Sequence, residues 1–311
     1  MGNKKQNFIS AVVYVHNAEN RIEDFLQTVI AVMDNFECSE IICVNDFSED
    51  NSVKAIKKIT ERTSATSISI LHMSFFHGLD LAMNAGVDLA VGDFVFEFDT
   101  TVLDFDKNAI LEVYYRALQG YDVVSASPNR KEKLSSRLFY RVFDRFSDYS
   151  YRMTTESFRI LSRRVINRIH SANRILPYRK AVYAGCGLKT DHIRYKAFDH
   201  VSLSVDKKER KYRPGLAIDS LILFTKLGYK FSLAMTLFMM FASIFMLIYS
   251  IVIYASSHPV AGWTTTILFM SVVFLGLFAI LTIVIKYLQL LVELIFKRKH
   301  YSFEGIEKIT K

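Results

Sequence analysis

Apolar and polar positions alternate in blocks along the first third of the chain. Residues 8–15 (Phe-Ile-Ser-Ala-Val-Val-Tyr-Val) form a nearly unbroken apolar run rich in β-branched residues. Such a run reads as a strand buried on both faces. A polar break, His16–Asn20, follows, and from Arg21 to Asn35 the apolar residues Ile22, Phe25, Leu26, Val29 and Ile30 recur at helical spacing. The pattern repeats: a strand over Glu40–Asn45, a turn over Asp46–Ser52, and a helix over Val53–Arg62 that Asn51 or Ser52 is placed to cap. A third strand is predicted at Ser67–His72, a helix over Gly78–Ala90 and a fourth strand at Asp93–Asp99. Asp80 and Asp88, inside that helix, are expected to be exposed. Strands alternating with helices predict an α/β fold with a mainly parallel, Rossmann-like sheet wrapped on both faces. Ligands of such sheets bind at the carboxyl ends of the strands, where Asn17, Glu19, Asp46 and Asp99 fall.

The C-terminal third has a different pattern. No Asp, Glu, Lys or Arg occurs between Phe231 and Ile285. A span needs roughly 20 apolar residues, so this stretch predicts two transmembrane helices, 231–255 and 264–287. They are broken at Pro259 and Gly262. Arg210, Lys211, Arg213, Lys226 and Lys230 precede the pair, Lys297, Arg298 and Lys299 follow it, and the hairpin loop has no Lys or Arg. The positive-inside rule then puts both termini in the cytoplasm. No signal peptide is expected, because no apolar core precedes a small-residue cleavage site.

Charge divides the chain again. Residues 1–129 hold 9 Lys and Arg against 19 Asp and Glu, whereas residues 130–230 hold 24 against 9. A basic block beside a membrane segment predicts contact with anionic lipid. Nucleic acid is not an expected partner, because no aromatic-basic recognition motif accompanies the block. The three cysteines, Cys38, Cys43 and Cys186, form no CxxC pair, which argues against a disulfide framework or a zinc site and for a reducing compartment. The predicted organisation is an α/β core at 1–130, a region of amphipathic, basic interfacial helices at 131–230, a membrane hairpin at 231–287 and a cytoplasmic tail at 288–311.

Four segments, in order and at matching spacing, carry a resemblance: Val13-Tyr-Val-His-Asn-Ala-Glu19, Val44-Asn-Asp-Phe-Ser-Glu-Asp-Asn-Ser52, Gly78-Leu-Asp-Leu-Ala-Met-Asn-Ala-Gly86 and Ala90-Val-Gly-Asp93. They resemble the family 2 glycosyltransferases of GT-A fold. Ser136-Arg-Leu-Phe-Tyr140, Ser157-Phe-Arg-Ile-Leu-Ser-Arg163 and Glu209-Arg-Lys-Tyr212, followed by a helical pair and a polar tail, are similar to the polyisoprenyl-phosphate branch, which includes the dolichol-phosphate mannose synthases. The resemblance covers nearly the whole chain.

It implies transfer of a sugar from a UDP- or GDP-sugar to a polyisoprenyl phosphate at the cytoplasmic side of a bacterial membrane. It also implies a divalent metal, Mg²⁺ or Mn²⁺, held at Asp99. Asn17, Glu19 and Asp46 are implied donor-binding residues together with Asp99. Arg137, Arg159 and Lys211 are the implied acceptor-phosphate ligands, and Arg130 is a weaker candidate. The expectation leaves room for a homo-oligomer. Two departures bear on activity. The family's paired acid is missing at Thr101, so the run is Asp99-Thr-Thr101, and Asn45 stands where the family often has aspartate. Glu97 offers an alternative pair with Asp99, since strand alternation puts both on one face, although Glu97 lies deeper. Two further readings stay open: a weak or inactive relative that binds nucleotide sugar or lipid and supports a partner, and a glycosyltransferase acting on another membrane lipid.

Overall fold

A computed structural model describes residues 5–61, 66–130, 134–146, 155–171, 179–198 and 303–308, together with single helical positions between 234 and 291. The chain divides into two units, one of residues 1–144, 149–217 and 299–311 and one of residues 145–148 and 218–298. The residues that bear on chemistry below belong to the first.

That unit is built on one eight-stranded sheet. In chain order the strands are β1 (Ile9–Val15), β2 (Ser39–Asn45), β3 (Ser67–Met73), β4 (Phe94–Phe98), β5 (Val123–Pro128), β6 (Phe158–Ser162), β7 (Thr190–Tyr195) and β8 (Phe303–Lys308). Their spatial order is β7-β5-β6-β4-β1-β2-β3-β8. β1 pairs in parallel with β2 and β4, β2 with β3, and β5 with β7. β6 runs antiparallel between β4 and β5, and β8 runs antiparallel to β3.

The helices that cover the sheet are α1 (Ile22–Met33), α2 (Ser52–Thr60), α3 (Leu79–Leu89) and α4 (Lys107–Leu118). All seven residues of β1 are buried, as a central parallel strand requires. Alternation divides them between two layers. Ile9, Ala11, Val13 and Val15 join Phe25, Leu26 and Val29 of α1, Ile56 of α2 and Ile110 and Val113 of α4 in one core. Val12 and Val44 face α3 instead. A Cβ built on Gly86 would come within 2.4 Å of Val12 and 2.5 Å of Val44, so glycine lets α3 lie against the strands.

The four expected strands and three expected helices are present. Three details differ. Neither Asn51 nor Ser52 caps α2 through its side chain; the Ser52 hydroxyl donates to Asp50 and accepts from the Ala18 N–H instead. The motif segment around Arg159 is a strand, β6. The expected tail contains β8, which joins the sheet. The expected membrane helices, 231–255 and 264–287, lie outside the described residues apart from the single positions noted. Among the described residues no helix is long and apolar enough to cross a membrane.

Candidate active site

Two polar clusters sit at the carboxyl ends of β1, β2 and β4. The first ties the loop after β1 to the loop after β2. Asn17 and Phe47 both take positive φ, 48° and 55°, which turns the chain sharply away from each strand. The Asn17 side-chain oxygen accepts from the Glu49 N–H at 2.9 Å, and the Ser48 hydroxyl accepts from the Asn17 N–H at 3.2 Å. Glu19 is exposed and accepts from the side-chain amide and the N–H of Asn51 at 3.0 and 3.2 Å. Asp46 is fully buried. Its carboxylate accepts from the Tyr14 hydroxyl at 3.0 Å and from the N–H groups of His77 and Gly78 at 2.8 and 2.9 Å. Burial raises its pKa, and these donors, with His16 nearby, offset part of the rise. Asp46 therefore fixes the start of α3 against the end of β2. Asn45 accepts from the Ser48 N–H at 3.2 Å and meets His72 at 3.2 Å.

The second cluster follows from sheet register. β4 and β6 pair so that Glu97 stands opposite Arg159, and a strand's period of two brings Asp99 to the same face. Arg159 donates to Glu97 at 2.7 Å, to Asp99 at 2.6 Å and to Glu156 at 3.1 Å. Arg179, at the start of the short helix Arg179–Ala184, donates to Glu97 and to Asp99, each at 2.7 Å. One turn on, the Tyr183 hydroxyl donates to Glu97 at 2.8 Å. Asp80, from the first turn of α3, accepts from the Arg179 N–H at 3.1 Å. Both guanidinium side chains are 1 % exposed, Glu97 is 0 % and Asp99 is 7 %, so Asp99 is the carboxylate nearer solvent.

Electrostatics follow from the pairing. Burial pulls the Asp99 pKa upward, but Arg159, Arg179 and Lys180 outweigh it and hold the carboxylate well below its usual range. Burial raises Asp80 further than Arg179 lowers it. Both arginines are held charged by the surrounding acids against the cost of burial.

The expected site residues are thus only partly brought together. Asn17, Glu19 and Asp46 frame the β1–β2 end; Glu97, Asp99 and Arg159 form one network. Arg137 is an exposed residue of α5 (Leu134–Phe146) and, among the described residues, shares no ion pair with that network. Arg130 reaches Asp104 at 3.7 Å. Lys211 lies outside the described residues. Asp80, expected to be exposed, is buried, because the first turn of α3 points at the acid cluster rather than at water. Asp88 is 39 % exposed. The sequence reading missed Arg179 and Tyr183, which lie sixteen and twenty residues beyond the nearest motif, Ser157–Arg163; their spacing of four is the local trace of a shared helix face.

An implied metal can be tested against this donor set. Asp99 is a hard oxygen ligand of the kind Mg²⁺ and Mn²⁺ take, and Mg²⁺ commonly uses one or two carboxylates plus substrate phosphates. The next acid is absent, since residue 101 is a buried threonine. Among the described residues no three His, Cys, Asp or Glu side chains form a metal cage. The donors fit an ion shared with a phosphate, not one held by protein alone.

Residues 10–170 match the Glycosyl transferase family 2 domain. An uncharacterised glycosyltransferase of Synechocystis sp. is 27 % identical over 194 residues, 60 % of each chain. The bactoprenol glucosyl transferase of Shigella phage SfV is 27 % identical over 208 residues, 62 % of this chain and 64 % of its own. The undecaprenyl-phosphate 4-deoxy-4-formamido-L-arabinose transferase of Edwardsiella ictaluri is 30 % identical over 122 residues, 39 % of this chain and 37 % of its own. The chain thus spans less than two thirds of the length of these curated relatives. Among solved structures, glucosyl-3-phosphoglycerate synthase from Mycobacterium tuberculosis, in complex with phosphoglyceric acid, superposes with a TM-score of 0.50 at 12 % identity, over 70 % of this chain and 78 % of its own. That likeness is one of fold.

Proposed function

We propose that this chain, which belongs to glycosyl transferase family 2, moves a sugar from a nucleotide sugar to a polyisoprenyl phosphate at the cytoplasmic face of a bacterial membrane. The observation that carries the reading is the acid–guanidinium network at the carboxyl end of β4, where Asp99 meets Arg159 and Arg179. Names of the relatives supply the acceptor class, bactoprenol in one and undecaprenyl phosphate in the other.

The chemistry suits these residues. A polyisoprenyl phosphate is already an anion, so it attacks the sugar carbon without a strong general base. The protein must position the two substrates and neutralise the leaving diphosphate. Asn17 and Glu19 hold the β1 and β2 loops in the shape that receives the nucleoside, with Asp46 fixing the floor beneath them. Arg159 and Arg179 are the cations placed for phosphate oxygens, to which a guanidinium can offer two parallel N–H groups. A divalent cation, Mg²⁺ or Mn²⁺, would be held at Asp99, with Glu97 behind it, and would supply further counter-charge to the leaving diphosphate. Arg137 and Lys211 remain the proposed acceptor-side cations, while Arg159, expected among them, is proposed for the donor side instead.

Three observations support a membrane setting. On α5, Arg137 and Arg141 are exposed one turn apart beside Leu138, itself 61 % exposed; this mixture suits an anionic lipid surface. At the single described positions of the predicted first span, Phe238, Phe241 and Phe245 are 60, 66 and 67 % exposed at helical spacing, which suits lipid better than water. Finally, β8 pairs with β3. That pairing puts residues 73 and 303 on one side of any membrane, as the proposed two-helix hairpin requires.

The test is transfer of labelled sugar from a panel of UDP- and GDP-sugars to undecaprenyl phosphate by the detergent-purified chain, read as solvent-extractable lipid-linked label. Label in lipid with one donor is expected. Absence of label with every donor, from folded protein that still binds nucleotide diphosphate, selects a second reading, that of a relative that binds without transferring. The threonine at residue 101, where the family has a second acid, is what favours that second reading.

A further inference from the structure

The geometry of the network points to a role for the arginine pair that rests on the donor reading above and goes beyond it. Besides the contact of the Arg159 Nε with Glu156, each guanidinium is held at its two Nη ends. Its Nη1 donates to Glu97, which is fully buried and fastened from a third side by Tyr183. Its Nη2 donates to Asp99, the member of the network nearer solvent. Glu97 is thus the permanent anchor, and Asp99 is the partner at the open end. Two N–H edges converge on one carboxylate, an arrangement that matches any compact anion with several oxygens. Lys180, adjacent to Arg179, adds a further positive charge felt at Asp99. The Nε of Arg179 is buried and makes no hydrogen bond among the described residues, but it lies 3.4 Å from an oxygen of Asp80.

The same contacts bar a cation. Both Asp99 oxygens carry a guanidinium at 2.6 and 2.7 Å. Mg²⁺ bonds a carboxylate oxygen at about 2.0–2.1 Å, so at Asp99 it would compete with two guanidinium groups for the same two oxygens. A nucleotide diphosphate removes the conflict, because its oxygens can take the two Nη2 edges and free Asp99 for the ion.

We propose that Arg159 and Arg179 are a diphosphate-binding pair that Asp99 occupies in the unliganded protein, and that a divalent cation binds at Asp99 only together with the nucleotide diphosphate.

The experiment is Mn²⁺ binding to the full chain in detergent, followed by loss of the free-ion electron paramagnetic resonance signal. It is run alone, with UDP, with GDP and with a short-chain polyprenyl phosphate; nucleotide binding is measured separately by calorimetry in EDTA. Wild type should bind Mn²⁺ at least tenfold more tightly with one of the nucleotides than alone. Arg179→Gln should bind Mn²⁺ without nucleotide, at least tenfold more tightly than wild type does, and should lose at least tenfold in metal-free nucleotide affinity. The gained Mn²⁺ site should vanish in Arg179→Gln/Asp99→Asn. Should Arg179→Gln fail to fold, Arg179→Lys, which keeps the charge and loses the two-ended hold, is expected to show the same direction of change. Equal Mn²⁺ binding by wild type with and without nucleotide overturns the proposal, as does Mn²⁺ uptake prompted by the polyprenyl phosphate and not by a nucleotide. Arginine variants that leave both affinities unchanged also overturn it. Nucleotide binding with no Mn²⁺ binding under any condition sinks the proposal and leaves the donor reading standing. No nucleotide binding at all sinks both.

Discussion

Replacing Arg159 by methionine removes one cation and leaves three acids around the space it filled. The side chain is 1 % exposed and bonds Glu97, Asp99 and Glu156, which are 0, 7 and 4 % exposed. After the substitution Arg179 would be the one cation left, among the described residues, in direct contact with Glu97 and Asp99. Breaking a buried ion pair by removing one partner costs about 3–5 kcal/mol, because the stranded charge is not resolvated. At roughly 2–4 °C per kcal/mol for a unit of this size, the midpoint of thermal unfolding should fall by about 6–20 °C. The assay is circular dichroism melting of the full chain in detergent, for wild type, Arg159→Met, Glu97→Gln and the double variant. The double variant should lose less than the sum of the singles, since it strands fewer charges. The deficit of Arg159→Met should also shrink on acidification. In wild type the Asp99 pKa is depressed, so its contribution is full above the unfolded value and is lost as pH falls through the folded one. Without Arg159 that carboxylate protonates at higher pH and the repulsion ends sooner. An Arg159→Met melt within about 1 °C of wild type, or a deficit that does not change with pH, would refute the buried network.

Three other outcomes follow. Gly86→Ala pushes a methyl to within 2.4 Å of Val12 and 2.5 Å of Val44, so it should cost about 1–3 kcal/mol by overpacking, and an unchanged melt would contradict the close approach of α3. His192 lies between the Ser125 and Ser127 hydroxyls at 3.0 and 2.7 Å, and burial lowers its pKa below the usual 6.5; its stabilising contribution is present above that value and lost as pH falls through the folded pKa, so the stability margin of wild type over His192→Gln should fade on acidification, and a margin that grows instead would contradict this. Single cysteines at Ser257 and Ser302, probed in intact cells with an impermeant maleimide after the native cysteines are replaced, should label at residue 257 and not at 302, whereas the reverse would break the two-span topology.

The buried parallel strands were legible because they carry little but apolar residues: β1 and β2 are continuous runs, and α1 shows its buried face at helical spacing. β7, Thr-Asp-His-Ile-Arg-Tyr, is a sheet edge whose polar residues are mostly half-buried, and β8, Phe-Glu-Gly-Ile-Glu-Lys, is six residues paired to a strand more than two hundred positions earlier. Neither has a local signal that separates it from a loop. The site divides in the same way. Asp99 could be found from its place after a strand. That Arg179 holds it could not, because a buried arginine needs an acid partner and its partners come from β4, eighty residues away. Asp80 was misread for the converse reason: a helical aspartate is normally solvated, and only the tertiary fold turns this one towards Arg179.

The central claim is transfer of a sugar to a lipid phosphate at Asp99, and mass spectrometry of the lipid product measures it. The purified chain, given undecaprenyl phosphate and each UDP- and GDP-sugar with Mn²⁺, should yield a lipid heavier than undecaprenyl phosphate by one anhydro-sugar unit. Free undecaprenol should give no such product, and folded Asp99→Asn protein should not form it from either lipid. An adduct formed equally well on undecaprenol, or by Asp99→Asn, would contradict the account.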